Sequence, residues 1–146
     1  MRSLVCLALV ACASDRSTGT TAPTLLADHM AAASRAHEPV VVELGAAWCK
    51  PCHDFVDRVL PDPRVREALR GVDFVQYDID TPAGADAMKR CSVAAIPAVV
   101  GFAPDGTPDV LVAGAEPTVD QLVAFLARAK QRLAINRATA RSAATR

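Results

Sequence analysis

Residues 40–53 read Val-Val-Val-Glu-Leu-Gly-Ala-Ala-Trp-Cys-Lys-Pro-Cys-His. Val40 to Leu44 is an apolar, β-branched run of the kind buried on both faces of a parallel or mixed sheet, yet it holds an acid, Glu43. Trp48-Cys49-Lys50-Pro51-Cys52-His53 then opens a helix through about Leu60, where Pro61 ends it. Two cysteines with two residues between them at a helix start bring both sulfurs within disulfide distance. The helix N-terminus carries about half a positive charge and Lys50 adds another nearby, so the Cys49 thiolate is favoured at the exposed helix end. Cys49 therefore reads as the nucleophile, and Cys52, one turn in and shielded, as the thiol that resolves a mixed disulfide. Pro51 stiffens the first turn, where a missing N–H costs nothing.

Working outward, Thr24 to about His37 is rich in helix formers, with Leu26, Met30 and Ala33 on one face and Pro39 as the stop. On the other side, Asp62-Pro63 supplies an N-cap and a first-turn proline for a short helix to Arg70. Residues 72–79 read as a strand through Phe74, Val75, Tyr77 and Ile79, and Thr81-Pro82 caps a helix to about Cys91. Ala98 to Ala103 is the next strand, Pro104-Asp105-Gly106 its turn, and Val110 to Ala113 the hairpin partner. Thr118 and Gln121 form a capping box for a last helix whose Leu122, Phe125, Leu126 and Ala129 repeat at helical spacing. Cys91, without a partner at short spacing, reads as core. His29 and His37 read as surface polar residues of the first helix.

The resulting order, α-β-α-β-α-β-β-α, is punctuated by Trp48-Cys49-Lys50-Pro51-Cys52, by Ile96-Pro97 before the third strand, by Pro104-Asp105-Gly106 and by Gly114. It resembles the thioredoxin fold across residues 24–131, an α/β domain with a central mixed sheet flanked by helices. Within that superfamily, Asp62-Pro63-x-Val65-x-x-Ala68-Leu69 is similar to the C-terminal periplasmic domain of the transmembrane thiol:disulfide interchange proteins. The resemblance implies a thiol:disulfide oxidoreductase that calls for no cofactor and no metal. Its Pro-containing dipeptide between the cysteines implies the reducing direction, on disulfide-containing exported proteins, with electrons from a membrane donor. Pro97 would be a cis-proline facing the two cysteines and presenting the backbone of Ile96 to an extended substrate segment. Trp48 would pack beside the site, shield the disulfide and give substrate an apolar contact. Glu43 stands six residues before Cys49, where thioredoxins carry a buried Asp. A buried carboxyl has its pKa raised by desolvation and can take the Cys52 proton; the other reading is a structural acid with a local hydrogen-bond partner.

The whole chain, 146 residues, allows one domain of ordinary size. Sixteen basic residues balance sixteen acidic ones and 51% of the chain is hydrophobic, which excludes a disordered chain and a generally basic nucleic-acid binder. Aromatics at 4% leave no stacking platform for single-stranded nucleic acid and demand a core of Val, Leu, Ile and Ala. The apolar run Leu4 to Ala11 is too short to span a bilayer, which needs roughly 20 residues, and reads as an export signal. Leu9-Val10-Ala11-Cys12 resembles the lipobox of bacterial lipoproteins, whose cysteine is acylated and becomes the first residue. The expected organisation is a signal peptide over 1–11, which takes Cys6 with it, a lipid on Cys12, a flexible tether over 12–23 and the folded domain over 24–131. The protein would then be exported and lipid-anchored to the bacterial cell envelope. No acid follows Asp120, whereas Arg128, Lys130, Arg132, Arg137, Arg141 and Arg146 do, so residues 132–146 read as a basic, disordered tail.

Three rivals use the same residues. Cys49-x-x-Cys52-His53 also spells covalent c-type haem attachment, with Met30 or Met88 as an axial ligand. Against it stand the strand before Trp48, Pro51 between the cysteines, and Ile96-Pro97 with its hairpin, none of which haem attachment requires. A zinc site would need four ligands, and only Cys49, Cys52 and His53 offer themselves together. A binding module or holdase would keep the fold and leave the cysteine pair incidental.

Overall fold

The structure is a computed structural model that describes residues 25–103 and 105–144. The expected signal and tether, with Cys6 and Cys12, lie outside the described residues, as does Pro104. In chain order the elements are α1 (Leu26–Ala36), β1 (Val40–Gly45), α2 (Lys50–Asp54) continued by a π-helical turn (Phe55–Val59), α3 (Pro63–Leu69), β2 (Asp73–Asp78), α4 (Pro82–Arg90), β3 (Ala98–Phe102), β4 (Pro108–Ala113) and α5 (Val119–Ala144).

β1 is buried at all six positions because it lies inside the sheet and both faces are covered. The strand order is β2-β1-β3-β4, with β1 parallel to β2 and antiparallel to β3, and β3 antiparallel to β4. This is the expected mixed sheet. Alternation along β1 sends Val40, Val42 and Leu44 to one face, where Leu26 and Ala33 of α1 and Ala83 and Ala87 of α4 cover them. Val41 faces the other layer, built from Phe55, Val59, Val65, Leu122, Phe125 and Leu126. Met30 and Met88 pack on the first layer.

The helix ends form where the sequence places their caps. Asp62 Oδ1 accepts from the Arg64 N–H at 2.8 Å, and Thr81 Oγ1 from the Gly84 N–H at 3.1 Å. The capping box closes in both directions: Thr118 N–H donates to Gln121 Oε1 at 2.9 Å and Gln121 N–H to Thr118 Oγ1 at 3.3 Å. α4 comes so close to the end of β2 that a Cβ on Gly84 would stand 1.9 Å from the Asp78 carbonyl oxygen. Only glycine permits that approach.

The helix after the cysteines runs to Leu60 as expected, and from Phe55 it widens into a π turn closed by Leu60 N–H to Phe55 O at 3.1 Å, which puts both Phe55 and Val59 into the core. Two expectations need correction. Residues 132–146 are not a disordered tail as far as they are described, since α5 runs on to Ala144. No Gly or Pro interrupts it and Ala and Arg favour helix, although residues 134–144 are exposed throughout. His29 is not a free surface residue: half-buried, its Nδ1 lies 3.0 Å from Asp73 Oδ2, which ties α1 to the start of β2. Among the described residues, no helix is long and apolar enough to cross a membrane.

Candidate active site

The C-terminal end of β1 and the first turn of α2 bring Cys49 and Cys52 together, with Cα atoms 5.3 Å apart and the sulfurs joined in a disulfide. Cys49 is the N-cap of α2 and Pro51 sits in its first turn; the Cys52 N–H donates to Cys49 Sγ at 3.2 Å. The expectation that Cys49 is exposed does not hold. Each cysteine is only 4% accessible, because Ala46, Ile79 and Ile96 pack around the pair. Exposure returns on either side, at Trp48 and Lys50.

Ile96-Pro97 is a cis peptide bond and Pro97 is fully buried. Its carbonyl accepts from the Gly114 N–H at 2.9 Å, so the start of β3 and the end of β4 together hold the loop against the cysteines. Trp48 does not pack as expected. It is 67% exposed, and its indole N–H donates to Asp80 Oδ2 at 2.8 Å, fixing the ring from the β2–α4 loop. Lys50 gives the site less charge than the sequence suggests. Its ammonium donates to Asp54 at 2.7 Å, and this bond leads the Asp54 carboxyl below its ordinary range. His53 Nε2 lies 2.9 Å from the Ala47 carbonyl oxygen.

Glu43 is 3% accessible, the buried charged side chain inside the sheet. Burial raises its pKa above the usual carboxylate range, and a hydrogen bond from Gln76 Nε2 to Oε2 at 3.2 Å offsets this in part. Gly45 sits between Glu43 and the disulfide. A Cβ there would stand 2.9 Å from Glu43 Oε1 and 3.6 Å from Cys52 Sγ. Glu43, Gly45, Cys52, His53, Val56 and Gln76 line one cavity of about 310 Å³ that reaches this gap. The site therefore pairs a disulfide with a buried carboxyl that gives up its proton less readily than an ordinary glutamate. Cys91 takes no part: buried in the first core layer, its thiol is pushed up to about 11 by desolvation.

Of the residues singled out from sequence, Cys49, Cys52 and Ile96 pack together, Cys52 shares a cavity with Glu43, Pro97 is joined to Ile96 through the cis bond, and Trp48 stands exposed next to Cys49 in the chain. Gln76 and Asp80 were not foreseen. The signal for Gln76 was its polar side chain inside the strand 72–79; Asp80 gave none.

A family model described as thioredoxin-like matches residues 22–104. The thiol:disulfide interchange protein DsbD 1 of Pseudomonas aeruginosa is 33% identical over 88 residues, which is 59% of this chain and 15% of that protein. The chain thus spans a small fraction of the curated relatives it matches. The reduced C-terminal domain of Neisseria meningitidis DsbD aligns with a TM-score of 0.58 at 22% identity, over 70% of this chain and 91% of that one. A thioredoxin from Thermus thermophilus aligns at 0.59 and 22%, over 71% and 82%. These two likenesses establish the fold.

Proposed function

Because the chain belongs to the thioredoxin-like family, we propose that it is a thiol:disulfide oxidoreductase in which Cys49 and Cys52 exchange their shared bond with disulfides of exported proteins. The observation that carries this reading is the disulfide itself, seated at the start of α2 beside the cis Ile96-Pro97 bond. In the reducing direction the Cys49 thiolate attacks one sulfur of a substrate disulfide, and the other substrate sulfur leaves as a thiolate that takes up a proton. The Cys52 thiol then gives its proton to Glu43 and attacks Cys49; the remaining substrate sulfur leaves and is protonated in turn. Two electrons have passed from the cysteine pair to the substrate, and a membrane donor restores them.

Cys49 takes the attacking role because the first turn of α2 and the Cys52 N–H favour its thiolate. Trp48 and the backbone of Ile96 flank the pair and receive an extended segment of the partner. A lipid on Cys12 keeps the domain on the periplasmic face of the membrane, close to its donor. The test is reduction of insulin by dithiothreitol. Catalytic amounts of the wild type should speed precipitation of the B chain and Cys49→Ser should not; no acceleration by the wild type overturns the reading. For the anchor, Cys12→Ala should leave the membrane fraction, and equal partitioning of mutant and wild type would refute it.

A further inference from the structure

Strand register decides what meets Glu43. On β1 it stands opposite Gln76 of β2 on one side and Val99 of β3 on the other. Val99 offers no polar side-chain atom, so the side chain opposite Glu43 that can reach its carboxyl is the amide of Gln76. That amide donates to Oε2, whereas Oε1 is buried with no hydrogen-bond partner among the described residues. An unpaired buried carboxyl oxygen is costly. Here it lies beside the one glycine whose missing side chain opens the way to Cys52.

We propose that Gln76 is a positioning residue for closure of the Cys49–Cys52 bond: its amide holds Oε2 of Glu43 and leaves Oε1 to take the Cys52 proton across the gap at Gly45. The proposal rests on the reading of Glu43 as proton acceptor. In the step it serves, the Cys52 S–H bond breaks and its proton passes to Oε1. The new bond forms between Cys52 and Cys49, and the electron pair of the broken mixed disulfide leaves with the partner's sulfur. Glu43 then returns the proton to solvent.

A neutral amide suits this task. It steadies the carboxylate without the ion pair that would hold Glu43 permanently ionised and weaken it as a base. Other titratable groups lining the cavity are Cys52 and His53 from α2 and Tyr77 and Asp78 from β2, while Val99 of β3 brings none. His53 is engaged by the Ala47 carbonyl, and Asp78 Oδ1 by the Asp80 N–H at 2.9 Å. Gln76 is also reachable from solvent, because β2 is an edge strand and the residue is exposed there.

The test isolates closure. In the full chain with Cys6, Cys12 and Cys91 replaced by Ala, the reduced pair is capped at low pH with 4,4′-dithiodipyridine, which leaves a pyridyl disulfide on Cys49. After a jump to a series of pH values, release of the second thiopyridone reports the attack by Cys52. The acid limb of the rate should move down by about one pH unit in Gln76→Lys and up by about one in Gln76→Glu. Gln76→Leu should also move it up and should lower the plateau several-fold. Glu43→Gln should abolish the limb. If the Gln76 variants keep the wild-type limb and Glu43→Gln loses it, the role of Gln76 is refuted while that of Glu43 stands. If Glu43→Gln keeps the limb, the reading of Glu43 falls and the proposal with it. Gln76→Glu, nearly identical in shape, keeps the test decisive should the other variants misfold.

Discussion

The indole N–H of Trp48 reaches Asp80, 32 residues further along the chain, with 2.8 Å between donor and acceptor. A large apolar ring is thereby held in one orientation while two-thirds exposed beside the disulfide. Asp80→Ala should free the ring without unfolding the domain. The kcat/KM for a protein disulfide should fall about three- to tenfold, the scale of one lost orienting hydrogen bond. Reduction of a small disulfide such as oxidised glutathione, which has little need of the ring, should change much less. Equal loss on both substrates, measured side by side, would show that Asp80 acts on the cysteines and not on the partner.

The two sulfurs share one level of burial, so their roles must come from position and not from exposure. Cys49 caps α2 and accepts the Cys52 N–H; Cys52 lies within the first turn, near Glu43 and Gly45. Cys52→Ala should therefore accumulate covalent adducts with exported proteins that vanish on reduction, and Cys49→Ala should give few or none. Non-reducing gels in a Cys91→Ala background read the outcome. Equal trapping by both variants, or more by Cys49→Ala, would overturn the assignment.

Glu43 carries a thermodynamic signature of its own. Its carboxyl binds a proton more tightly in the folded chain than in the unfolded one, so the folded state loses stability as pH rises from the ordinary glutamate range through the raised folded value. Below that window both states hold the proton and the difference disappears. Glu43→Gln should match the wild type in denaturant midpoint near pH 4 and exceed it near pH 7, both in the oxidised form. Parallel stability curves for the two proteins would mean that Glu43 is ionised inside the fold at no cost.

Gly84 is fixed by contact. With a Cβ only 1.9 Å from the Asp78 carbonyl oxygen, Gly84→Ala must push α4 away from β2. A loss of about 2–4 kcal/mol in urea unfolding is the expected scale for overpacking against backbone. Ala85→Gly, one position on in the same helix, should cost about 1 kcal/mol through helix propensity alone. Similar losses for the two would remove the steric argument.

Much of this architecture is legible one residue at a time. Asp62-Pro63, Thr81-Pro82 and Thr118 with Gln121 are local devices whose partners lie within three residues, and each acts as its spacing indicates. The Cys49–Cys52 pair and the Ile96-Pro97 bond are equally plain from sequence. What escapes is contact across the sheet. The cover over Cys49 comes from Ile79 and Ile96, the amide on Glu43 from a neighbouring strand, and the partner of His29 from a residue 44 positions away. No spacing rule reaches these, because they depend on strand order and register. The helical tail escapes for another reason: lack of apolar periodicity argues against burial, and an Ala- and Arg-rich segment can be helical without it.

The length of α5 has a consequence for exchange with solvent. Twenty-six residues at about 1.5 Å each make a rod of about 39 Å, longer than a small domain is wide. Its first half is clamped through Leu122, Phe125 and Leu126, whereas residues 134–144 are exposed throughout and add no residue to the buried core. An uncovered helical end opens on its own, without waiting for the domain to unfold. Deuterium should therefore enter the amides of 134–144 quickly and those of 122–130 only at the rate of global opening. One continuous helix would then behave as two segments of very different lifetime, with the boundary near Leu133, beyond which every described residue of α5 is exposed.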